Sequence, residues 1–313
     1  MTGCGLATLA GVSAPRTRTW TPPPLYRLRQ HLHVLQRGPY DPACRIEGGT
    51  VWRATRTPDG PATLRTVQQG DTVRADAWGT GAAWALEQLP ALLGEYDDPD
   101  AFTPHHALTE ESHRRHPGLR LARTGRVMES LIPSVLEQKV TANEAYKAWR
   151  LLLRRFGERA PGPHDALYVM PEPRDWCRIP SWEWHRAGVD NKRATAIIRA
   201  AQRAPRMEEA AAMEQADALR RLQAIPGIGP WTAAETLQRS NGAPDAVTVG
   251  DLHLPGIVGY ALTGARGTDD AGMLELLAPY EGQRHRATRL ILLTGRVPPR
   301  RQPRFPVGDI ARL

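Results

Sequence analysis

The sequence has few cysteines and no long apolar run, and each shortage excludes a class of protein. Its three cysteines, Cys4, Cys44 and Cys177, are scattered, so we expect a reducing compartment and no disulfide framework. Three thiolates also cannot supply the four ligands of an iron–sulfur cluster. No apolar run approaches the length of a membrane span, and the first residues lack the pattern of a secretory signal. We therefore expect a cytoplasmic protein with no membrane partner.

Lysine is also scarce, and the positive charge comes almost wholly from arginine. Lysine and arginine together number 41 against 33 acidic residues, which gives a formal net charge of +8. Only Lys139, Lys147 and Lys192 are lysines. This balance favours a polyanionic partner such as nucleic acid. The arginine content of a GC-rich genome explains it equally well, so charge alone does not decide.

The 313 residues are enough for two domains, and the pattern of the chain divides it accordingly. Residues 1–20 lack a periodic apolar pattern, and we expect them to be disordered. Residues 21–117 predict an antiparallel sheet domain with a helix, and residues 118–297 predict a larger, all-helical domain. Residues 298–313 are rich in proline and arginine, and we expect a flexible tail. The predicted fold class is α+β.

Local signals place several of the elements. Residues 50–55, 62–67 and 72–78 alternate apolar and polar side chains between turn signals, which predicts an antiparallel meander. A helix is predicted over 81–93, with Pro90 splitting off its last turn. In the second domain, Thr141 and Glu144 read as a capping box, and Asp190 reads as an N-cap.

Three clusters of side chains have competing interpretations. Trp176, Trp182 and Trp184 are predicted to be core residues rather than stacking platforms. Arg284, Arg286 and Arg289 lie within two helical turns, and a solvated face is favoured over a patch that faces phosphate. The third cluster is His105, His106, His113 and His116. A metal site there would need an ordered spacing of further ligands, so a solvated loop near the domain boundary is favoured.

The strongest local signal lies in residues 221–255. Leu222 and Ile225 complete a short amphipathic helix, and Pro230 suits the first position of a second helix. The glycines between the helices let the chain turn sharply, and the bare N–H groups of the second helix can then face an anion such as a DNA phosphate. The residues assigned to this contact are Pro226, Gly227, Ile228, Gly229 and Thr232.

This hairpin, followed by Trp231 and, twenty residues later, by Asp251, resembles the helix-hairpin-helix (HhH-GPD) DNA glycosylase superfamily. Within it, the sequence looks most like the AlkA-like 3-methyladenine DNA glycosylase II branch. The resemblance implies an N-terminal antiparallel sheet before the helical domain. It also implies an enzyme that flips a damaged base out of double-stranded DNA and hydrolyses its N-glycosidic bond in base excision repair.

The resemblance assigns the catalytic carboxylate to Asp251. Such a group stabilises an oxocarbenium-like sugar and assists the attacking water. The alternative is that Asp251 only caps the helix that follows. Trp231 is assigned to one wall of the base pocket, and Glu235, one turn further, to the same face. Bifunctional relatives carry a lysine where this chain has Trp231, so a monofunctional hydrolase is expected.

The remaining assignments concern base flipping and ions. By motif, Gln138 and Lys139 fill the gap that the flipped base leaves, although an apolar residue is more usual at the second position. A monovalent cation is expected at the backbone carbonyls of Gln223, Ile225 and Ile228. No other cofactor is expected, and the protein is expected to be a monomer associated with the nucleoid.

The predicted substrates are alkylated purines, 3-methyladenine and 7-methylguanine, because Trp231 and Glu235 would both attract a cationic base. Two other functions stay open. One is a helix-hairpin-helix protein that binds damaged DNA without turnover, to which Lys139 and Glu235 lend support. The other is a bifunctional glycosylase/lyase that acts on oxidised bases, which the missing lysine disfavours.

Overall fold

The computed structural model describes residues 14–299, in which an antiparallel sheet is followed by a helical region. The strands are β1 (Arg16–Trp20), β2 (Cys44–Glu47), β3 (Thr50–Thr57), β4 (Gly60–Gln69), β5 (Thr72–Trp78), β6 (Glu158–Arg159) and β7 (Tyr168–Val169). The helices before the hairpin are α1 (Leu28–Leu32), α2 (Ala82–Glu87), α3 (Leu89–Leu92), α4 (Ala107–Arg115), α5 (Val127–Leu136), α6 (Ala142–Phe156), α7 (Pro173–Trp176), α8 (Ser181–Arg186), α9 (Asn191–Ala201), α10 (Ala204–Glu208) and α11 (Gln215–Gln223). After it come α12 (Pro230–Ser240), α13 (Leu254–Thr263), α14 (Asp270–Leu277) and α15 (Arg284–Leu293). The predicted α+β class is confirmed.

The five-stranded sheet has the order β1-β5-β4-β3-β2, and every neighbouring pair is antiparallel. Its alternating pattern places Val51, Leu64 and Val73 in one core, which α1, α2 and α3 cover. The predicted meander is confirmed as β3, β4 and β5. The helix predicted over 81–93 is split into α2 and α3, with Pro90 at the start of the second piece.

The prediction of disorder for residues 1–20 is wrong for residues 16–20. They form β1, which pairs with β5 from Arg16 opposite Ala77 to Trp20 opposite Val73. The strand is exposed and polar, so its stability comes from main-chain hydrogen bonds and from the Thr17 hydroxyl, which donates to Asp76 at 2.9 Å. An edge strand of this kind carries no apolar period for sequence reasoning to detect. Residues 1–13 and 300–313 lie outside the described range, including most of the predicted tail.

The helical core is built around α5, which packs against α6, α9 and α12. Both capping signals are confirmed: the side chains of Thr141 and Glu144 each bond the other's backbone N–H, and Asp190 caps α9. Trp176 and Trp184 are buried in this core as predicted. Trp182 is 65% exposed, so its assignment to the core was wrong.

Only one member of the histidine cluster, His113, lies in a helix; His105, His106 and His116 lie in the segments on either side of it. Residues 107–115 form α4, whose Ser112 hydroxyl donates to the Leu290 carbonyl of α15 at 2.7 Å. His106 precedes the helix and bonds the Tyr280 hydroxyl at 2.7 Å. This segment, which the sequence grouped with the sheet, therefore packs against the C-terminal helices. The division of the chain at residues 117 and 118 stays a prediction.

Two buried carboxylates join the sheet to the helical core. Glu129 on α5 pairs with Arg53 of β3 and accepts from the backbone N–H of Arg56 at 2.6 Å. Asp41 accepts from the indole of Trp149 on α6 at 2.9 Å, and burial raises the pKa of this aspartate. Because both carboxylates bond partners on the other side, the two parts are held in a fixed relation.

A second contact between distant segments is made by His31, which links α1 to the backbone at Leu92 and at Arg120. Its ring nitrogens lie 2.8 Å from the Leu92 carbonyl and 3.2 Å from the Arg120 carbonyl. The ring is buried, and burial lowers its pKa to about 4 from an ordinary value of 6.5. Between these two values the unfolded chain binds a proton that the folded protein does not. Stability therefore falls as the pH falls through this window.

We predict that the free energy of unfolding drops by about 2 kcal/mol more in the parent than in His31→Gln when the pH is lowered from 7 to 5. Glutamine can still donate to the Leu92 carbonyl but does not titrate. Denaturant unfolding of both proteins at each pH measures the difference. An equal loss in parent and variant would contradict the role given to His31.

Candidate active site

A cavity of about 250 Å³ opens between α12, α13 and α15 on one side and the end of α1 with residues 120–122 on the other. Its walls hold an unusual concentration of charge. The charged and histidine side chains are His31, Arg120, Glu235, Arg239, Asp251, His253, His285 and Arg289. The apolar contribution comes mainly from Leu254, Ile257 and Leu292.

Asp251 is held at the edge of this cavity by three hydrogen bonds. Its Oδ1 accepts from the backbone N–H groups of His253 and Leu254, both at 2.8 Å, at the start of α13. Its Oδ2 accepts from Trp231 Nε1 at 2.9 Å. Asp251 therefore does cap the helix, as the alternative interpretation proposed. Asp251 both caps α13 and lines the cavity, so the capping role does not rule out a catalytic one.

Trp231 does not line the cavity in this structure. It lies on the first turn of α12, and its indole N–H is used to hold Asp251. Donation of this N–H stabilises the charged carboxylate and fixes its orientation. The position assigned to a pocket wall thus belongs to a side chain that positions the carboxylate.

Glu235 does line the cavity, but its charge is not free. Glu235 pairs with Arg239, one turn further along α12, at 2.6 Å. Arg239 also donates to the Val34 carbonyl at 3.0 Å, and the charge of Glu235 raises the pKa of this arginine against the effect of burial. The pair is nearly neutral as seen from the cavity, which weakens the argument that Glu235 attracts a cationic base.

The three arginines of α15 do not form the predicted solvated face. Arg286 is buried and pairs with Asp97, and Arg284 pairs with Asp245. Arg289 faces the cavity, where burial and the nearby charge of Arg239 lower its pKa to about 10. Only Arg289 lines the cavity; Arg286 is fully enclosed, and Arg284 stays partly exposed beside Asp245. Their spacing alone is equally typical of a surface helix.

The hairpin between α11 and α12 has the predicted turn. The Ile228 N–H donates to the Ile225 carbonyl at 3.0 Å, and both isoleucines are buried. Gly227 has a φ of 101°, and a Cβ there would lie 2.8 Å from the Cβ of Ala196. At Gly229 a Cβ would meet nothing within 4 Å. Gly229 therefore has open space in front of it, and α12 starts there without a capping side chain.

Gln138 joins this hairpin to the loop after α5. Its amide Nε2 donates to the Gly227 carbonyl at 3.0 Å and to the Thr232 hydroxyl at 2.7 Å. The Thr232 side chain is buried, so its hydroxyl faces Gln138 rather than solvent. Lys139 follows, exposed and in the left-handed region with a φ of 55°. The two residues predicted to fill the gap are thus adjacent to the hairpin.

The structure brings no conventional metal site to this region. Among residues 14–299, no group of three or more His, Cys, Asp or Glu side chains is placed to hold a metal ion. The monovalent cation expected at the carbonyls of Gln223, Ile225 and Ile228 stays a proposal. The Ile225 carbonyl already accepts one hydrogen bond in the turn, and a carbonyl oxygen has a second lone pair for an ion.

No family model matches the sequence, and no curated protein is similar to it in sequence. Solved structures do match. The 3-methyladenine DNA glycosylase from Archaeoglobus fulgidus superimposes with a TM-score of 0.73 at 16% identity, covering 88% of this chain and 97% of that one. MBOgg1 in complex with a low-affinity DNA ligand gives 0.71 at 16% identity, covering 90% and 95%. The Clostridium acetobutylicum 8-oxoguanine glycosylase/lyase, in complex with DNA that contains 8-oxoG, gives 0.68 at 13% identity, covering 87% and 92%.

The chain therefore has the fold of the helix-hairpin-helix DNA glycosylases over most of its length. Sequence reasoning placed the hairpin and Asp251 but missed Arg239 and His285, which also line the cavity. The available signal was spacing: Glu235 with Arg239, and His285 with Arg289, are each four residues apart on one helical face. That spacing is common on exposed helices, so only the packing reveals its meaning.

We predict that Gly229→Ala weakens binding to DNA of every sequence by the same factor, severalfold. The added methyl group would stand where a phosphate approaches the helix start, and phosphate contacts carry no sequence information. Titration of labelled duplexes of different sequence at one salt concentration measures the effect.

Folding is the necessary control for this variant. Because Gly229 is extended and has open space, the parent and Gly229→Ala should unfold at the same temperature. Gly227→Ala should be destabilised, since both the backbone angle and Ala196 oppose it. Unchanged DNA affinity in a stable Gly229→Ala protein would remove the hairpin from the binding surface.

Proposed function

We propose that the protein is a monofunctional DNA glycosylase, which hydrolyses the N-glycosidic bond of a damaged base in double-stranded DNA during base excision repair. The observation that carries the proposal is the Asp251 carboxylate, which is fixed at the edge of a cavity bordered by α12, the helix that follows the hairpin. The glycosylase fold and the DNA in two of the similar structures support it. A DNA partner also agrees with the net charge of +8.

In this proposal Asp251 acts on the sugar. Its negative charge stabilises the positive charge that develops when the bond between the base and C1′ breaks. The same carboxylate orients the water whose oxygen then bonds C1′. Two backbone N–H groups and the Trp231 indole donate to Asp251 and hold its orientation.

The absence of a lysine from the cavity supports hydrolysis without a Schiff base. Lys139, Lys147 and Lys192 are all exposed, and none lines the cavity. A lyase reaction needs an amine that reaches C1′. The chain therefore shares the fold of an 8-oxoguanine glycosylase/lyase, but no lysine lines its cavity.

Alkylated purines, 3-methyladenine and 7-methylguanine, are the substrates that the sequence resemblance implies. The likeness to the Archaeoglobus fulgidus 3-methyladenine glycosylase supports this class. Uncharged lesions are the second class, and the arginines of the cavity favour it. A DNA-binding protein without turnover remains the alternative to an enzyme, which the cavity-facing Asp251 disfavours. In the described range no helix is long and apolar enough to cross a membrane.

We predict that Asp251→Asn lowers the rate of base release by about two orders of magnitude or more, because the stabilising charge is lost. Asparagine can still accept the two N–H bonds that cap α13, so the melting temperature should stay close to that of the parent. Release of bases from damaged DNA, followed by mass spectrometry, gives the rate.

The Trp231 indole requires a matched control. In Asp251→Asn an amide N–H group can face the indole N–H, which places two donors opposite each other. The double variant Asp251→Asn with Trp231→Phe removes that conflict and should be equally inactive. If Asp251→Asn melts far below the parent, Asp251 is a helix cap only. The same conclusion follows if a stable variant releases bases at the normal rate.

We further predict that borohydride traps no covalent complex between the protein and damaged DNA. Trapping needs a Schiff base from a lysine or terminal amine. Electrophoresis after reduction provides the measurement, with a known glycosylase/lyase as the positive control. A trapped complex that disappears in Lys139→Ala would show a lyase that uses the loop after α5.

A further inference from the structure

The arginines of the cavity differ in how they are paired. Arg239 is paired with Glu235, and Arg120 donates to the backbone carbonyl of Leu119 at 3.1 Å. Arg289 makes no hydrogen bond or ion pair with any residue of the described range. Burial and the charge of Arg239 lower its pKa, and the charge of Glu235 opposes them only in part. It remains charged at neutral pH.

His285 adds a second unsatisfied group, one turn before Arg289 on α15. It is buried and lines the same cavity, and its Nδ1 has no hydrogen-bond partner. Burial holds its pKa well below the usual value, so the ring is neutral. His285 and Arg289 thus line the cavity from one face of α15, and Arg289 keeps bonding capacity that the described residues do not use.

Arg289 is only partly exposed, and a charge that leaves water without a partner costs stability. The ligand that suits Arg289 is an acceptor: a carbonyl oxygen, or a group on which negative charge develops. Asp251 is not among the charges that shift the pKa of Arg289. The guanidinium is therefore not the partner of the catalytic carboxylate and is free to act on the base.

Cationic and uncharged lesions differ in the charge that the base carries when it leaves. When the bond between C1′ and the base nitrogen breaks, its electron pair goes to the base. A base that alkylation has made cationic then leaves as a neutral molecule. An uncharged base leaves as an anion, with its charge spread over ring nitrogens and carbonyl oxygens, and takes up a proton as the water oxygen bonds C1′. A nearby guanidinium stabilises the second departure and repels the first base before it reacts.

We propose that Arg289 is a specificity-determining residue that makes the cavity select an uncharged base with carbonyl oxygens, as in deaminated or oxidised lesions, over a cationic alkylated base. The proposal rests on the proposed glycosylase function and names its substrate class. It reverses the preference that the sequence suggests, because the charge of Glu235 is already taken by Arg239.

The experiment compares hypoxanthine and 3-methyladenine release by the parent and Arg289→Gln. The parent should release hypoxanthine faster, and the variant should lower the ratio of the two rates at least tenfold. Arg289→Lys keeps the charge and should restore part of the ratio. Because the guanidinium is uncompensated, Arg289→Gln should melt at the same temperature as the parent or higher, whereas a structural role would lower it.

Arg289 also borders an outer cavity with the exposed residues Arg27 and Arg29, so a DNA phosphate is the other source of an acceptor. Arg27→Gln is the matched control and should slow both lesions equally. If Arg289 binds phosphate, Arg289→Gln will slow the release of both lesions equally and will also weaken binding to DNA with an abasic site. That result, or an unchanged ratio, overturns the proposal.

Binding of the free bases separates this proposal from the glycosylase function itself. Calorimetric titration should show that Arg289→Gln weakens hypoxanthine binding at least fivefold and does not weaken 3-methyladenine binding. This holds even if the parent releases no base from DNA, an outcome that would refute the glycosylase function alone. Equal affinities in parent and variant would refute the role of Arg289.

Discussion

A guanidinium leaves water at a high cost in free energy unless it finds acceptors, and this constraint recurs through the fold. With only three lysines, the chain places its positive charge on arginines, several of which are buried. Arg193 on α9 donates to Asp190 and to the Leu136 carbonyl of α5, and Arg286 on α15 pairs with Asp97 before the helical core. The bonds of Arg193 to Leu136 and of Arg286 to Asp97 join segments that are distant in sequence. These buried arginines therefore help apolar packing to hold distant segments together.

The same constraint explains the character of the cavity. Apolar residues alone could have closed the space between α12, α13 and α15. Instead, Arg239 and Glu235 face it as a pair, and Arg289 faces it without one. A site that holds an uncompensated charge gives up stability for binding. This makes the cavity different from the helical core around α5, where the polar side chains that are buried are mostly satisfied.

The sequence predicted those parts of the molecule that local chemistry determines. The hairpin follows from two glycines and Pro230, the capping box from Thr141 and Glu144, and the meander from a period of two. Strand β1 escaped detection because an exposed edge strand needs no apolar face. The position of α4 also depends on a distant helix, which local pattern cannot show.

The site divides in the same way. Asp251 and Trp231 could be found because their spacing relative to the hairpin is a recognisable motif. Their direct hydrogen bond could not, because it depends on how α12 crosses the start of α13. Arg289 was assigned to a solvated face, since nothing in the neighbouring sequence reveals that this side of α15 borders a cavity. The spacing of Glu235 and Arg239 was compatible with an ion pair. That this pair faces the cavity and neutralises the charge of Glu235 there could be learned only from the structure.

The bonds made by Gln138 have a mechanical consequence. One amide group ties the Gly227 carbonyl and the Thr232 hydroxyl to the loop that presents Lys139. On DNA, the hairpin and this loop would then move together, because two hydrogen bonds from one side chain link them.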